Sequence, residues 1–275
     1  MGLPIQRDLV VGGIGAGAFG KVYRHEMGPS EGCPRRAPVN NSAMDDITAN
    51  LEQVRRQIAE AARKSNRAPD AIELVAVSKT HSAEKVQAAV DAGQTLFGES
   101  RVQEARGKIP LLSSRLRWHF IGHLQKNKIR HALPLFELFH GIDSLALVEE
   151  MERIADEEGM QPCILLEVNL AGEASKHGFT PAALRRDLEA ILSLGRVTIE
   201  GLMAIPPLAP EPENSRPYFV MLRELRDELE REFGLRLPQL SMGMSGDFPV
   251  AIEEGATLVR VGTAIFGARE RPERE

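Results

Sequence analysis

Ile72-Glu73-Leu74-Val75-Ala76-Val77-Ser78-Lys79-Thr80 is the stretch that decides the fold. Its first six residues form an apolar run broken only by Glu73, the pattern of a parallel strand buried on both faces. Polar residues end the run, and residues 82–92 then read as a helix stopped by Gly93. The same unit recurs down the chain. Further apolar runs occupy residues 95–97, 118–121, 138–142, 164–170, 198–205, 239–242 and 258–261. Helical patterns fill residues 100–112, 124–133 and 144–158, the last opened by Ser144 as a cap. Thr180-Pro181 supplies an N-cap with proline at the first helical position, and Leu184, Leu188 and Ile191 carry that helix to Gly195. Phe219, Leu222, Leu225, Leu229 and Phe233 share one side of the next helix, and residues 250–254 form a short one. No hairpin signal separates the strands. Eight such units predict an α/β fold with parallel strands closed into a (β/α)8 TIM barrel, the alternative being an open doubly wound sheet.

Upstream of the first strand, Ile47, Leu51, Val54, Ile58 and Ala61 recur on one helical face. Residues 1–43 have a different texture, rich in Gly and Pro, without period, and ending in Pro34-Arg35-Arg36-Ala37-Pro38-Val39-Asn40-Asn41. They are expected to be a disordered leader or extension, with Met44 as the functional start and 44–275 as a single domain. Within the leader, Gly15-Ala16-Gly17-Ala18-Phe19-Gly20-Lys21-Val22-Tyr23 imitates a nucleotide loop. A P-loop requires Ser or Thr where Val22 stands. A kinase requires a catalytic-loop Asp and an Asp-Phe-Gly that do not follow. Pro29 and Pro34 follow the glycines in place of an organised helix, so both readings are rejected.

Composition narrows the function classes. The 275 residues are 43% hydrophobic and 27% charged, ordinary for a globular protein of one large domain. The net charge of −5 and the absence of a long basic block argue against nucleic acid, despite short basic stretches at 115–117 and 126–130. No apolar run reaches the roughly 18–20 residues that span a bilayer, and the N-terminus lacks a signal-peptide layout. The two cysteines, Cys33 and Cys163, exclude a disulfide framework and fit a reducing, cytoplasmic setting. Cys163 reads as a small buried residue.

Barrels of this kind place their chemistry at the C-terminal ends of the strands, with phosphate held after strands seven and eight. Lys79 follows strand one, where a desolvated amine loses its proton more readily and forms a Schiff base with an aldehyde. The plain alternative is a surface loop lysine. Ser241-Met242-Gly243-Met244-Ser245-Gly246-Asp247 follows strand seven, and Gly262-Thr263 follows strand eight. Both loops carry glycine and hydroxyl groups suited to a phosphorylated ligand. Alternation within strand eight turns Val259 and Val261 toward the helices and Arg260 into the barrel. A buried arginine needs a partner, either an inward carboxylate such as Glu99 or Glu167, or a cofactor ring nitrogen.

Six separated motifs now fall together. They are Ala76-Val77-Ser78-Lys79-Thr80, Phe97-Gly98-Glu99, Trp118-His119-Phe120-Ile121-Gly122-His123-Leu124-Gln125-Lys126-Asn127-Lys128, Gly201-Leu202-Met203-Ala204-Ile205-Pro206, Ser241-Met242-Gly243-Met244-Ser245 and Arg260-Val261-Gly262-Thr263-Ala264-Ile265-Phe266-Gly267. In this order, from about Met44 to Arg269, they resemble the pyridoxal phosphate homeostasis protein family. The resemblance implies a barrel like the N-terminal domain of alanine racemase, with pyridoxal 5′-phosphate (PLP) on Lys79. It implies a phosphate cradle at Ser241, Gly243, Met244, Ser245, Gly262 and Thr263, a ring-nitrogen contact at Arg260 and a cofactor-face contact at Met203. Lys176 matches a family position at the site mouth, with a solvated loop lysine as the alternative. Ser100 stands where the family usually has Asn, and offers one hydroxyl in place of an amide.

Two functions follow from the resemblance. One is a monomeric PLP carrier that stores, buffers or delivers the cofactor, with apo PLP-dependent enzymes as recipients. The other is a PLP-dependent amino-acid racemase. Racemases of this fold take a second base from a tyrosine of an added domain. Here the tyrosines are Tyr23 and Tyr218, and the chain is expected to leave no room for that domain. His123 and Lys176 are the substitute bases to consider. A barrel enzyme for another phosphorylated substrate is the third reading.

Overall fold

The structure is a computed structural model that describes residues 41–173 and 176–268, with side chains from residue 46 onward. The leader expected at 1–43, with its glycine-rich stretch and Cys33, lies outside the described residues except for 41–43. Those three residues form the first turn of helix α1 (Asn41–Lys64). Ile47, Leu51, Val54, Ile58 and Ala61 are all buried along it, and the helix packs on α2 (Ala83–Asp91), α8 (Phe248–Glu253) and α9 (Thr263–Phe266).

Eight parallel strands form a closed barrel in chain order: β1 (Glu73–Val77), β2 (Leu96–Glu99), β3 (Arg117–Phe120), β4 (Leu138–Ile142), β5 (Cys163–Glu167), β6 (Thr198–Met203), β7 (Gln239–Met244) and β8 (Leu258–Val261). Pairing of β1 with β8, from Glu73 opposite Leu258 to Ala76 opposite Val261, excludes the open doubly wound sheet. The barrel is solid. Val75, Leu96, Leu138, Leu165, Met203 and Leu258 fill its lumen as one apolar cluster. A larger cluster lies between the sheet and the outer helices, where Val259 and Val261 are buried. The alternation of β8 therefore sends Arg260 inward, with 5% of its surface exposed.

Boundaries depart from the periodicity for local reasons. The helix expected at 100–112 is α3 (Val102–Lys108) followed by a 3-10 turn over Ile109–Leu111, because Pro110 has no N–H to continue it. The helix expected at 124–133 is a 3-10 turn over Lys126–Lys128 and the four-residue α4 (Ile129–Ala132), with Pro134 just beyond. Strand β5 stops at Glu167 rather than 170. There the Asn169 side chain accepts from the Gly172 N–H and donates to the Glu173 carbonyl, which folds the chain into a loop. The remaining helices, α5 (Leu145–Glu158), α6 (Pro181–Leu192) and α7 (Arg216–Phe233), fall where their patterns place them. The Thr180 hydroxyl accepts from the Ala183 N–H to cap α6. Cys163 is half-buried at the end of the lumen rather than sealed, and burial pushes its thiol up. No helix of the described residues is long and apolar enough to cross a membrane.

Candidate functional site

Lys79 stands half-buried just past β1, and the backbone on both sides of it is clamped. On one side, the Ser78 hydroxyl donates to Glu99 Oε1 (2.7 Å) and the Ser78 carbonyl accepts from Lys108 Nζ (2.8 Å). On the other, the Thr80 N–H donates to Glu104 Oε1 (2.6 Å). Lys108 joins the two halves, reaching Glu99 at 2.6 Å and Glu104 at 2.7 Å. Thr80 is held at φ 68°, where a β-branched residue persists only if its surroundings over-determine it. Glu99 and Lys108 are both buried. Burial pushes the Glu99 carboxyl up, against the pull of Lys108 and Ser78, and its Oε2 has no partner among the described residues.

The loops after β7 and β8 meet on one oxygen. The Ser245 hydroxyl accepts from the N–H groups of both Gly262 (3.2 Å) and Ala264 (3.3 Å). Two donors from one loop thus converge on a side-chain oxygen of the other, the arrangement a phosphate oxygen requires. Beside them a Cβ on Gly246 would project into open space, and one on Gly262 would press on Val77 at 3.2 Å. Gly243, at φ +90°, lies under the loop, where a Cβ would meet Ala251 at 2.6 Å; its lack of a side chain lets the loop close on α8. Lys79, Arg260, Met244, Ser245, Gly262, Thr263 and Lys176 line a single cavity of about 520 Å³ at the C-terminal ends of the strands. Its cations outnumber Asp247, whose carboxylate accepts from the Met244 N–H.

Arg260 makes no ion pair with Glu99 or Glu167, the carboxylates that are one of the two kinds of partner considered for it. Glu99 is engaged by Lys108 and Ser78, and Arg260 instead donates to Ser241 Oγ (2.5 Å) and the Ala204 carbonyl (3.1 Å). Burial pushes its guanidinium down to about 10, with Glu167 and Asp247 pulling the other way, so it is cationic at neutral pH. Behind it a line of hydrogen bonds crosses the lumen. Ser241 Oγ meets His140 Nδ1 (2.8 Å), His140 Nε2 meets His119 Nδ1 (2.9 Å) and His119 Nε2 meets Glu137 Oε1 (2.9 Å). Burial first, then the charges of His119 and Arg260, hold His140 well below the ordinary imidazole range. With His140 neutral, one of its ring nitrogens donates and the other accepts, and the line ends on the Glu137 carboxylate. Burial alone would raise that carboxyl, but His119 and Arg117 hold it down.

Ser241, expected in the phosphate cradle, therefore sits in the strand below it, bridging Arg260 and His140. Ser241→Ala leaves two buried donor or acceptor groups without a partner, and a loss of ~1–3 kcal/mol is expected in urea unfolding. A loss under about 0.5 kcal/mol would show that the bridge contributes nothing.

The Alanine racemase, N-terminal domain family model matches residues 47–270. A pyridoxal phosphate homeostasis protein of Aquifex aeolicus is 43% identical over 221 residues, which are 80% of this chain and 97% of that one. The chain belongs to the pyridoxal phosphate homeostasis protein family. The structure of PipY from Synechococcus elongatus with PLP bound is 41% identical, with a TM-score of 0.72 over 80% of this chain and 100% of that one. An alanine racemase of Clostridium difficile shares the fold alone, at 16% identity and a TM-score of 0.65 over 83% of this chain and 61% of that one.

Other positions matched to this homeostasis protein family distribute unevenly. Met203 is buried in the lumen cluster below the cavity. Lys176 lines the cavity and pairs with Glu173 at 2.9 Å. Ser100 lines a separate cavity of about 280 Å³ with His123 and Lys128. Tyr218 lies on α7 and is absent from the lining of the Lys79 cavity. Sequence reasoning missed Lys108, Glu104, His119 and His140, although His119 stands in a quoted motif and its place on β3 marks it as inward-facing.

Proposed function

We propose that the chain binds PLP as a Schiff base on Lys79 and serves as a carrier that stores, buffers or delivers the cofactor, rather than as a catalyst. The observation that carries this reading is the convergence of Lys79, Arg260 and the Ser245–Gly262 cradle on one cavity. A volume of about 520 Å³ suits a ligand of this size. The cofactor would supply the aldehyde that condenses with the Lys79 amine. Ser245, Gly262 and Thr263, with Met244 beside them, would hold its phosphate. Arg260 would face the ring nitrogen and keep it unprotonated, which weakens the ring as an electron sink and fits carriage better than turnover. Ser241, Gly243 and Met203 would support this set from below. Lys176 would attract the phosphate at the mouth, and Ser100 would act at most from the neighbouring cavity. The names of the relatives and the PLP bound in PipY support the same reading.

We place this work in a reducing cytoplasm, which the cysteine count supports, and assign the recipients to apo PLP-dependent enzymes. The rim of the cavity carries exposed Ile205 and fully exposed Leu208, apolar groups that a partner could cover. A monomer of 30.3 kDa is expected in light scattering. The deciding experiment is the spectrum of the purified full chain. An absorbance band near ~420 nm, and a borohydride-fixed cofactor mapped to Lys79, are the expected results. A colourless chain that PLP does not reconstitute would sink the reading. Exchange of an amino-acid α-proton with solvent at enzyme-like rates would move the assignment to a racemase.

A further inference from the structure

Across the barrel mouth from the cradle, three loops bring together a second set of side chains. His123 follows β3, Asp143 follows β4 and His177 lies in the loop after β5. His123 Nδ1 is 3.0 Å from Asp143 Oδ2, and His177 Nδ1 is 3.4 Å from the same oxygen. All three ligand atoms lie within 4.8 Å of one another, and the imidazoles stack at 3.9 Å with 14° between their planes. Two atoms bound to one ion at ~2.0–2.1 Å stand about 2.9 Å apart at a right angle and about 3.4 Å apart at a tetrahedral angle. The two edges through Asp143 already fall at these lengths. The third closes if the exposed rings tilt apart, which disturbs no core packing.

We propose that His123, Asp143 and His177 form a site for a divalent transition-metal ion of the zinc and cobalt class. Two imidazoles and one carboxylate favour these ions over magnesium or calcium, which take oxygen ligands. Three protein ligands leave a position open for water or a small ligand. The ion would tie the loops after β3, β4 and β5 to one another. The site shares no residue with the Lys79 cavity, so it stands or falls independently of PLP binding.

The test uses the full chain freed of metal by a chelator. Cobalt(II) is titrated against visible absorbance and zinc by calorimetry, in wild type, Asp143→Asn, His177→Ala, His131→Ala and Lys79→Ala. The expected result is one equivalent bound by wild type, with the affinity reduced at least tenfold in Asp143→Asn and His177→Ala. His131→Ala, which removes an exposed histidine elsewhere, and Lys79→Ala should bind as wild type does. Zinc should also raise the unfolding temperature of wild type and not of His177→Ala, which truncates an exposed side chain. Equal affinity in wild type and in both ligand variants overturns the site, as does the absence of bound metal in wild type.

Discussion

Lys79→Ala is expected to purify without the absorbance band and to yield no borohydride-fixed cofactor, while folding as wild type does. The loss would be large because the proposed covalent link is the one contact the cradle could not replace. The proposed phosphate and ring contacts would remain, but affinity is expected to fall at least about a hundredfold, equivalent to about 3 kcal/mol. The fold should survive because the clamp around this position engages the Ser78 hydroxyl, the Ser78 carbonyl and the Thr80 N–H. Equilibrium dialysis against PLP and thermal unfolding read the two halves separately. A variant that still traps cofactor at another lysine, such as Lys176, which also lines the cavity, would remove Lys79 from its role.

Lys108→Met should produce the largest loss of stability, ~3–5 kcal/mol, because it strands a buried carboxylate without its counter-charge. Burial already raises the Glu99 carboxyl, and without Lys108 it rises further. A folded-state value above the unfolded one means that the folded chain binds the extra proton. Stability therefore falls as pH rises from the ordinary carboxyl range through the folded value, and the deficit of the variant shrinks as pH is lowered. Urea unfolding at acidic and at mildly alkaline pH measures both effects. A deficit under about 1 kcal/mol, or one unchanged by pH, would show that the pair is dispensable. The same variant should loosen the backbone on both sides of Lys79 and slow its trapping by borohydride.

The barrel was legible because its signal is local and repeated. Each strand is a short apolar run and each helix carries its own stripe, so eight alternations survive errors of several residues at their ends. Lys79 and the loops after β7 and β8 were legible for a related reason, since strand ends alone mark where a barrel gathers its chemistry. Lys108 was not. It lies in a helix with Glu104 and Arg106, and a charged residue there reads as solvated. Only the approach of α3 to β1 and β2 buries it. His119 and His140 could be assigned inward by alternation, but their pairing depends on neighbouring strands whose offset no local pattern encodes. Arg260 shows the same limit. Its inward direction followed from alternation, whereas the partners it meets, a hydroxyl and a backbone carbonyl, were not among those the sequence offered.

The line from Arg260 to Glu137 also has a meaning for assembly of the barrel. It touches β8, β7, β4 and β3 in turn, and residues on opposite walls must arrive at matching heights for it to close. Strand pairing is spaced by ~3.3 Å per residue, so a two-residue slip that keeps the inward faces inward still moves an imidazole by nearly 7 Å. Apolar lumen residues tolerate such a slip, because one branched side chain packs much like another. A hydrogen-bonded row does not. The row acts as a gauge of alignment, favouring the one closure in which Arg260 stands at the depth of the cavity.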